Sequence, residues 1–163
     1  MTDNTPGTQV PDKHLDVLEV LVENVSGDWA VTGSTGMALQ GMDLDVNDLD
    51  IQSNGPAADR LAEFLRREGH VLETLRSVES KKMSSRLGSY ELIGVKIEVI
   101  GDLQKKVDGS WGKTVDVTEN LKNVRVESRS ITVPVLRLEY EEQAYRKMGR
   151  EERADAVRSF LSR

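Results

Sequence analysis

The feature that most limits what this chain can fold into is a pair of acidic residues alternating with large apolar ones, Asp48-Leu49-Asp50-Ile51. Side chains in a strand alternate between faces, so Leu49 and Ile51 can enter a core while Asp48 and Asp50 project together from the opposite side. Two carboxylates held side by side repel each other, and nothing in folding asks for them there. A divalent cation between them removes the conflict, and hard oxygen ligands suit magnesium.

The surrounding run, residues 29–53, reads as strand, tight loop, short helix, loop and strand. Trp29-Ala30-Val31 is the first strand, and Gly33-Ser34-Thr35-Gly36 is a turn of small residues that lets a phosphate approach the backbone. Met37-Ala38-Leu39 starts the helix, whose free N–H groups and positive dipole end make an anion seat. A third carboxylate comes from Gly94-Val95-Lys96-Ile97-Glu98-Val99-Ile100, where alternation buries Val95, Ile97 and Val99 and sets Glu98 opposite them with Lys96. Three carboxylates can hold two metals, which clamp the attacking and leaving oxygens of a phosphoryl transfer.

Gly33-Ser34, thirteen intervening residues, Asp48-x-Asp50 with apolar flanks, and then Glu98 between Ile97 and Val99 resemble the signature of the DNA polymerase beta-type nucleotidyltransferase superfamily. Within it, the chain is similar to the small single-domain aminoglycoside and lincosamide nucleotidyltransferases. The ending from Leu138-Glu139-Tyr140 to Tyr145-Arg146-Lys147-Met148-Gly149-Arg150-Glu151 resembles their C-terminal helical portion. Where such relatives continue with Lys-Asp, this chain has Glu152-Arg153. The resemblance implies an α+β fold, a mixed sheet backed by helices, and a reaction in which a nucleoside triphosphate gives its monophosphate to a hydroxyl-type acceptor with release of pyrophosphate. It assigns Asp48, Asp50 and Glu98 to catalysis and to two magnesium ions, and Gly33 and Ser34 to the nucleotide's phosphates. It also implies an alternative, a regulatory, antitoxin-like protein with a small helical partner and little transfer activity. A metal-dependent phosphohydrolase is a third reading, with water as acceptor.

Composition sets the outer bounds. The 163 residues suit one domain, expected to have a flexible tail over residues 1–9 and C-terminal helices over 138–163. A net charge of −6 argues against a general nucleic-acid binder, which needs basic surface. No apolar run nears the roughly 20 residues of a membrane span, and the polar start lacks a signal peptide's basic region, so a cytoplasmic protein is expected. Without cysteine, thiolate catalysis and cysteine zinc sites are excluded. An acidic protein that binds a triphosphate needs local cations, for which Lys81, Lys82, Arg86 and Lys96 are available. The acceptor is not legible, and neither is the oligomeric state, although a second subunit could complete so shallow a site.

Along the chain, Leu15, Leu18, Leu21, Val22 and Val25 recur at helical spacing after Pro11 and Asp12. A second helix starts after the turn at Ser53-Asn54-Gly55-Pro56, runs with Leu61, Phe64 and Leu65 on one face to about Glu68, and stops at Gly69. Strands are expected at 71–75 and 82–87, and a hairpin joins 90–93 to 95–100 around Gly94. Residues 101–112 read as loop, with short strands at 114–117, 124–126 and 131–135. Two helices close the chain, Leu138–Lys147 and Glu151–Leu161, the second turning Ala154, Val157, Phe160 and Leu161 inward.

Each sharp reading has a plainer competitor. Ser34 could cap the following helix; Asp102 could replace Glu98 as the third carboxylate; Glu98 could pair with Lys96 or Arg86 at little gain. Asp43-x-Asp45-x-Asn47 fails as a calcium loop because Asp48 stands where glycine is needed and Asn54 where glutamate is needed. His14 and His70, the only histidines, read as structural or exposed. Trp111 could stack on an acceptor or close a minor cluster.

Overall fold

Alternation in the two acidic segments decides how the molecule is layered. In the computed structural model, which describes residues 10–163, Leu49, Ile51, Ile97 and Val99 are fully buried on one side of a sheet. Asp50 and Glu98 sit between them and take the other side, paired in register on neighbouring strands. The tail expected over residues 1–9 lies outside the described residues.

The elements follow as α1 (Asp12–Asn24), β1 (Trp29–Thr32), α2 (Gly33–Leu39), β2 (Leu49–Ser53), α3 (Gly55–Glu68), β3 (His70–Glu79), β4 (Met83–Leu92), β5 (Val95–Val107), β6 (Ser110–Trp111), β7 (Leu121–Val126), β8 (Ile131–Leu136), α4 (Leu138–Lys147) and α5 (Glu151–Leu161). The sheet runs β3-β4-β5-β2-β1-β8-β7, with β6 beside β5. Strands β2 and β5 are parallel, as are β1 and β8; the other pairings are antiparallel. This is the mixed sheet backed by helices that the sequence leads one to expect.

Helices α1 and α3 cover one face. Leu15, Val17, Leu18 and Leu21 of α1 and Ala57, Ala58, Leu61, Phe64 and Leu65 of α3 recur at helical spacing, and they meet Trp29, Val31 and the apolar members of β2, β5 and β8 in the main core. Each large side chain removed from water there contributes about 1.5–3 kcal/mol. The opposite face is only partly roofed, by α4. A smaller cluster of Met37, Met42, Leu138, Tyr145, Ala154 and Val157 ties α2 to α4 and α5.

The structure corrects several local expectations. Helix α2 begins at Gly33 itself, so the small-residue run is the first helical turn and not a loop. Strand β4 is continuous where two pieces were expected, and it enters the anticipated hairpin through Ile93 and Gly94, both at positive φ (53° and 73°) as a type I′ turn requires. Strand β5 continues to Val107 through the supposed loop, because pairing with β4 carries it: Met83 faces Lys105 and Ser84 faces Gln104. A register shift between Ser84 and Arg86 lies across from Asp102, itself at φ 50°. Trp111, expected in a loop, belongs to β6, with the Lys106 ammonium 4.9 Å from its ring centre.

Residues 114–117 form no strand. The Asp116 side chain accepts from the Thr118 amide at 3.0 Å and Asn54 accepts from the Val117 amide at 3.1 Å, which turns the chain into a short 3-10 helix over Val117–Glu119. Leu161, expected inward, is 38% exposed at the end of α5.

Candidate active site

Strand parity brings the acidic residues to one side of the sheet. Asp50 stands opposite Glu98 across the parallel β2–β5 pair, and Asp48 lies one residue ahead of β2. The Lys96 ammonium lies 3.7 Å from Asp48 Oδ2 and 3.9 Å from Glu98 Oε1. Burial, then repulsion from Glu98 and Asp48, lifts the Asp50 carboxyl to about 7, with Lys96 opposing.

The loop before β2 is fixed from α2. Ser34 Oγ accepts from the Asn47 amide at 2.9 Å and the Thr35 hydroxyl donates to the Asp48 carbonyl at 3.4 Å. Ser34 therefore holds the loop in place and does not cap the helix. Gly33 has φ +69°, and a Cβ there would stand 2.9 Å from Asp50 Oδ2; a side chain would push directly on that carboxylate.

Sequence reasoning missed the residues that arrive from α4. Glu141, 3% exposed, accepts from the Thr32 hydroxyl at 2.5 Å. Burial raises its carboxyl to about 7; the Thr32 hydroxyl and the Gly33 amide lower it, Asp50 raises it and Lys105 lowers it. Tyr140 accepts at its hydroxyl from Gln52 Nε2 at 3.2 Å, and the Lys105 ammonium lies 4.8 Å from its ring centre. Burial pulls that ammonium below its ordinary value, with repulsion from Lys147 adding and Glu141 opposing. One signal was available: Leu138, Glu141 and Tyr145 share a helical face by spacing, which sets a carboxylate in an apolar stripe.

These groups surround a cavity of about 750 Å³ between the open sheet face and α4. Asp50, Thr32 and Gly33 lie at one end; Met83, Leu87, Ile100 and Leu103 form apolar walls; Lys82, Lys105, Lys106, Lys147 and Arg150 also line it.

The expected cation cluster does not assemble. Arg86 bonds to Asp59 at 2.5 Å and lies 4.0 Å from Asp102, Lys96 sits with Asp48 and Glu98, and Lys81 is exposed; Lys82 alone of the four reaches the cavity. Asp102 faces Arg86 and Gly55, where α3 begins, and so is no substitute for Glu98. His14 donates from Nε2 to the Asn47 carbonyl, 2.8 Å away.

Among the described residues, no three His, Cys, Asp or Glu side chains stand gathered as a finished metal cage. The donor chemistry of Asp48, Asp50 and Glu98 nonetheless fits a hard divalent cation, since all three are oxygen ligands and Asp50 is held high by burial and by repulsion from the other two that Lys96 only partly offsets.

A family model described as aminoglycoside-2''-adenylyltransferase matches residues 14–159. Among solved structures, a Thermotoga maritima protein described as a "putative nucleotidyltransferase" superposes with a TM-score of 0.77 at 33% identity, over 92% of this chain and 91% of its own. No curated protein matches.

Proposed function

Since the chain belongs to the nucleotidyltransferase family described as aminoglycoside-2''-adenylyltransferase, we propose that it transfers a nucleoside monophosphate from a nucleoside triphosphate to an acceptor hydroxyl. The observation that carries this reading is the in-register pairing of Asp50 with Glu98, with Asp50 lining a cavity that Gly33 also lines. In the reaction the acceptor oxygen bonds to the α-phosphorus as the bond to the pyrophosphate oxygen breaks. The acceptor's proton leaves to a carboxylate, a role assigned here to Glu98.

Asp48, Asp50 and Glu98 would hold two magnesium ions, which when bound neutralise phosphate charge and polarise the reacting oxygens. Ser34 would donate its hydroxyl hydrogen to a phosphate while still accepting from the Asn47 amide. Glu141 and Thr32 would hold Gly33 in place. Most of the rate gain in such a site comes from orientation and fixed charge, not covalent chemistry.

Calorimetric titration of the four nucleoside triphosphates with magnesium tests this. Wild-type protein binds one or more of them in a metal-dependent way, and Asp48→Asn/Asp50→Asn binds none while remaining folded. Asp50→Asn alone abolishes transfer; a variant that keeps full activity sinks the assignment.

One observation favours the regulatory, antitoxin-like alternative. Lys96 lies against both Asp48 and Glu98 and offsets their charge without a metal. Absence of nucleotide binding to folded wild-type protein, together with a co-purifying small helical partner, would select it.

A further inference from the structure

The two ends of the sheet are finished differently. Strand β7 closes one end and β3 the other, and among the described residues each has a single strand neighbour. An edge strand presents a row of unpaired N–H and C=O groups, which proteins commonly blunt with short length, proline or charge. Strand β7 is blunted in this way: six residues long, it would set Lys122 against Arg125 if laid antiparallel on its own copy. Strand β3 is ten residues long, has no proline, and buries none of its side chains. Val71 and Leu72 in it are 43% and 50% exposed, and Ile93 at the neighbouring β4–β5 turn is also open to water.

Strand β3 is, moreover, complementary to itself. Laid antiparallel on a second copy over its whole length, it sets His70 against Glu79, Val71 against Val78, Leu72 against Ser77 and Glu73 against Arg76. Side chains directly opposite across an antiparallel pair are close enough for opposite charges to attract and like charges to repel. Arg76 already bonds its own Glu73 at 2.7 Å, both side chains being more than half exposed. A two-fold axis between Thr74 and Leu75 would bring in the same pair from the other chain, so that the four charges alternate in sign around it. Register shifts against β4 fall on either side of Glu73. In a symmetric pair both strands carry them equally, and the one-for-one match is kept.

We propose that β3 is a dimerisation edge, at which two copies of this chain join β3 to β3 antiparallel about an axis between Thr74 and Leu75. The contact joins the two sheets into one and requires nothing of the transfer reading. It extends to the tip of the β3–β4 hairpin, just before Lys82 and Met83 enter the cavity, and so braces that wall in both copies. A strand pair alone buries less than the ~1,600 Å² of a standard interface, so the association is reversible and of micromolar strength.

Sedimentation velocity of the full chain over a range of concentrations tests it. Wild-type protein should pass from monomer to dimer in the micromolar range. Glu73→Arg and Arg76→Glu should each weaken the dimer roughly tenfold or more, since each turns two attractive cross-strand pairs into repulsive ones. Mixed in equal amounts, the two variants should associate again, because arginines on one chain then face glutamates on the other. That recovery also shows that neither variant was misfolded. Lys122→Glu, on the opposite edge, should leave wild-type association unchanged, and added salt should weaken the dimer.

A wild-type chain that stays monomeric at high micromolar concentration would overturn the proposal. So would a dimer that survives Glu73→Arg, a mixture of the two variants that fails to associate, or a dimer strengthened or lost in Lys122→Glu. Removal of residues 1–9 adds a last check: a chain that dimerises only after their removal assigns the edge to its own N-terminal segment, which overturns the proposal as well.

Discussion

Burial and the neighbouring Glu98 and Asp48 hold the Asp50 carboxyl at about 7, against an ordinary 3.8. Between those values the native state keeps a proton that the unfolded chain has lost, so this group's contribution to stability is full below about pH 4 and is lost as pH rises through about 7. Asp50→Asn has nothing to ionise. In chelator it should melt like wild type below about pH 4, somewhat above it near pH 5 and furthest above it near pH 8, as thermal melts followed by circular dichroism would record. A divalent cation must displace that same proton, so magnesium affinity should rise from about pH 6 to 8 with proton release visible in buffers of different ionisation enthalpy. Gly33 is the second residue with a sharp prediction. Alanine at φ +69° should cost about 1–3 kcal/mol and, with its Cβ 2.9 Å from Asp50 Oδ2, should also displace the carboxylate. Gly94→Ala, at φ +73° with only the Lys13 ammonium near it at 3.6 Å, should carry the backbone cost alone and leave nucleotide binding intact.

Among the elements, β5 places Glu98 and, through its irregularity, Lys105. Even-numbered residues up to Ile100 face the open side, whereas Leu103 and Lys105 line the cavity after Gly101 and Asp102; one extra residue reverses the alternation. That reversal is why Asp48, Asp50 and Glu98 were legible from local pattern while Lys105 was not. A clean two-residue rhythm identifies a face, and a bulge set by pairing with β4 breaks the rhythm without a local mark beyond Gly101. Glu141 escaped for a different reason. Glu139 and Glu141 both look like acids suited to the first turn of α4, and which one turns inward is decided by the roof α4 makes over the sheet. Ile97 is fully buried directly before Glu98, so Ile97→Ala should cost about 2–5 kcal/mol in urea unfolding and weaken metal binding as Glu98 loses its footing.

For the whole molecule, helix existence and the core face were readable because α1, α3, α4 and α5 each have strong apolar periodicity. Sheet order was not, since β2 and β5 are neighbours across an intervening helix and hairpin, a long-range choice no short segment encodes. One long-range tie is ionic: Arg129, at the β7–β8 turn, bonds to Asp16 at 2.5 Å and Glu19 at 3.2 Å on α1. Arg129→Ala should lower the melting temperature more at low salt than at high salt, because it leaves those acids facing each other unscreened.

The division of β2 and β5 into a core side and an open side separates two kinds of selection along a single strand. At Leu49, Ile51, Ile97 and Val99, tolerated replacements are those that keep volume. At Asp50 and Glu98 packing asks for no carboxylate, and in Asp50's case the fold gains from losing the charge. A change on the core side is therefore read in stability and a change at Asp50 or Glu98 in metal and nucleotide binding, so the two faces of one strand answer to different measurements.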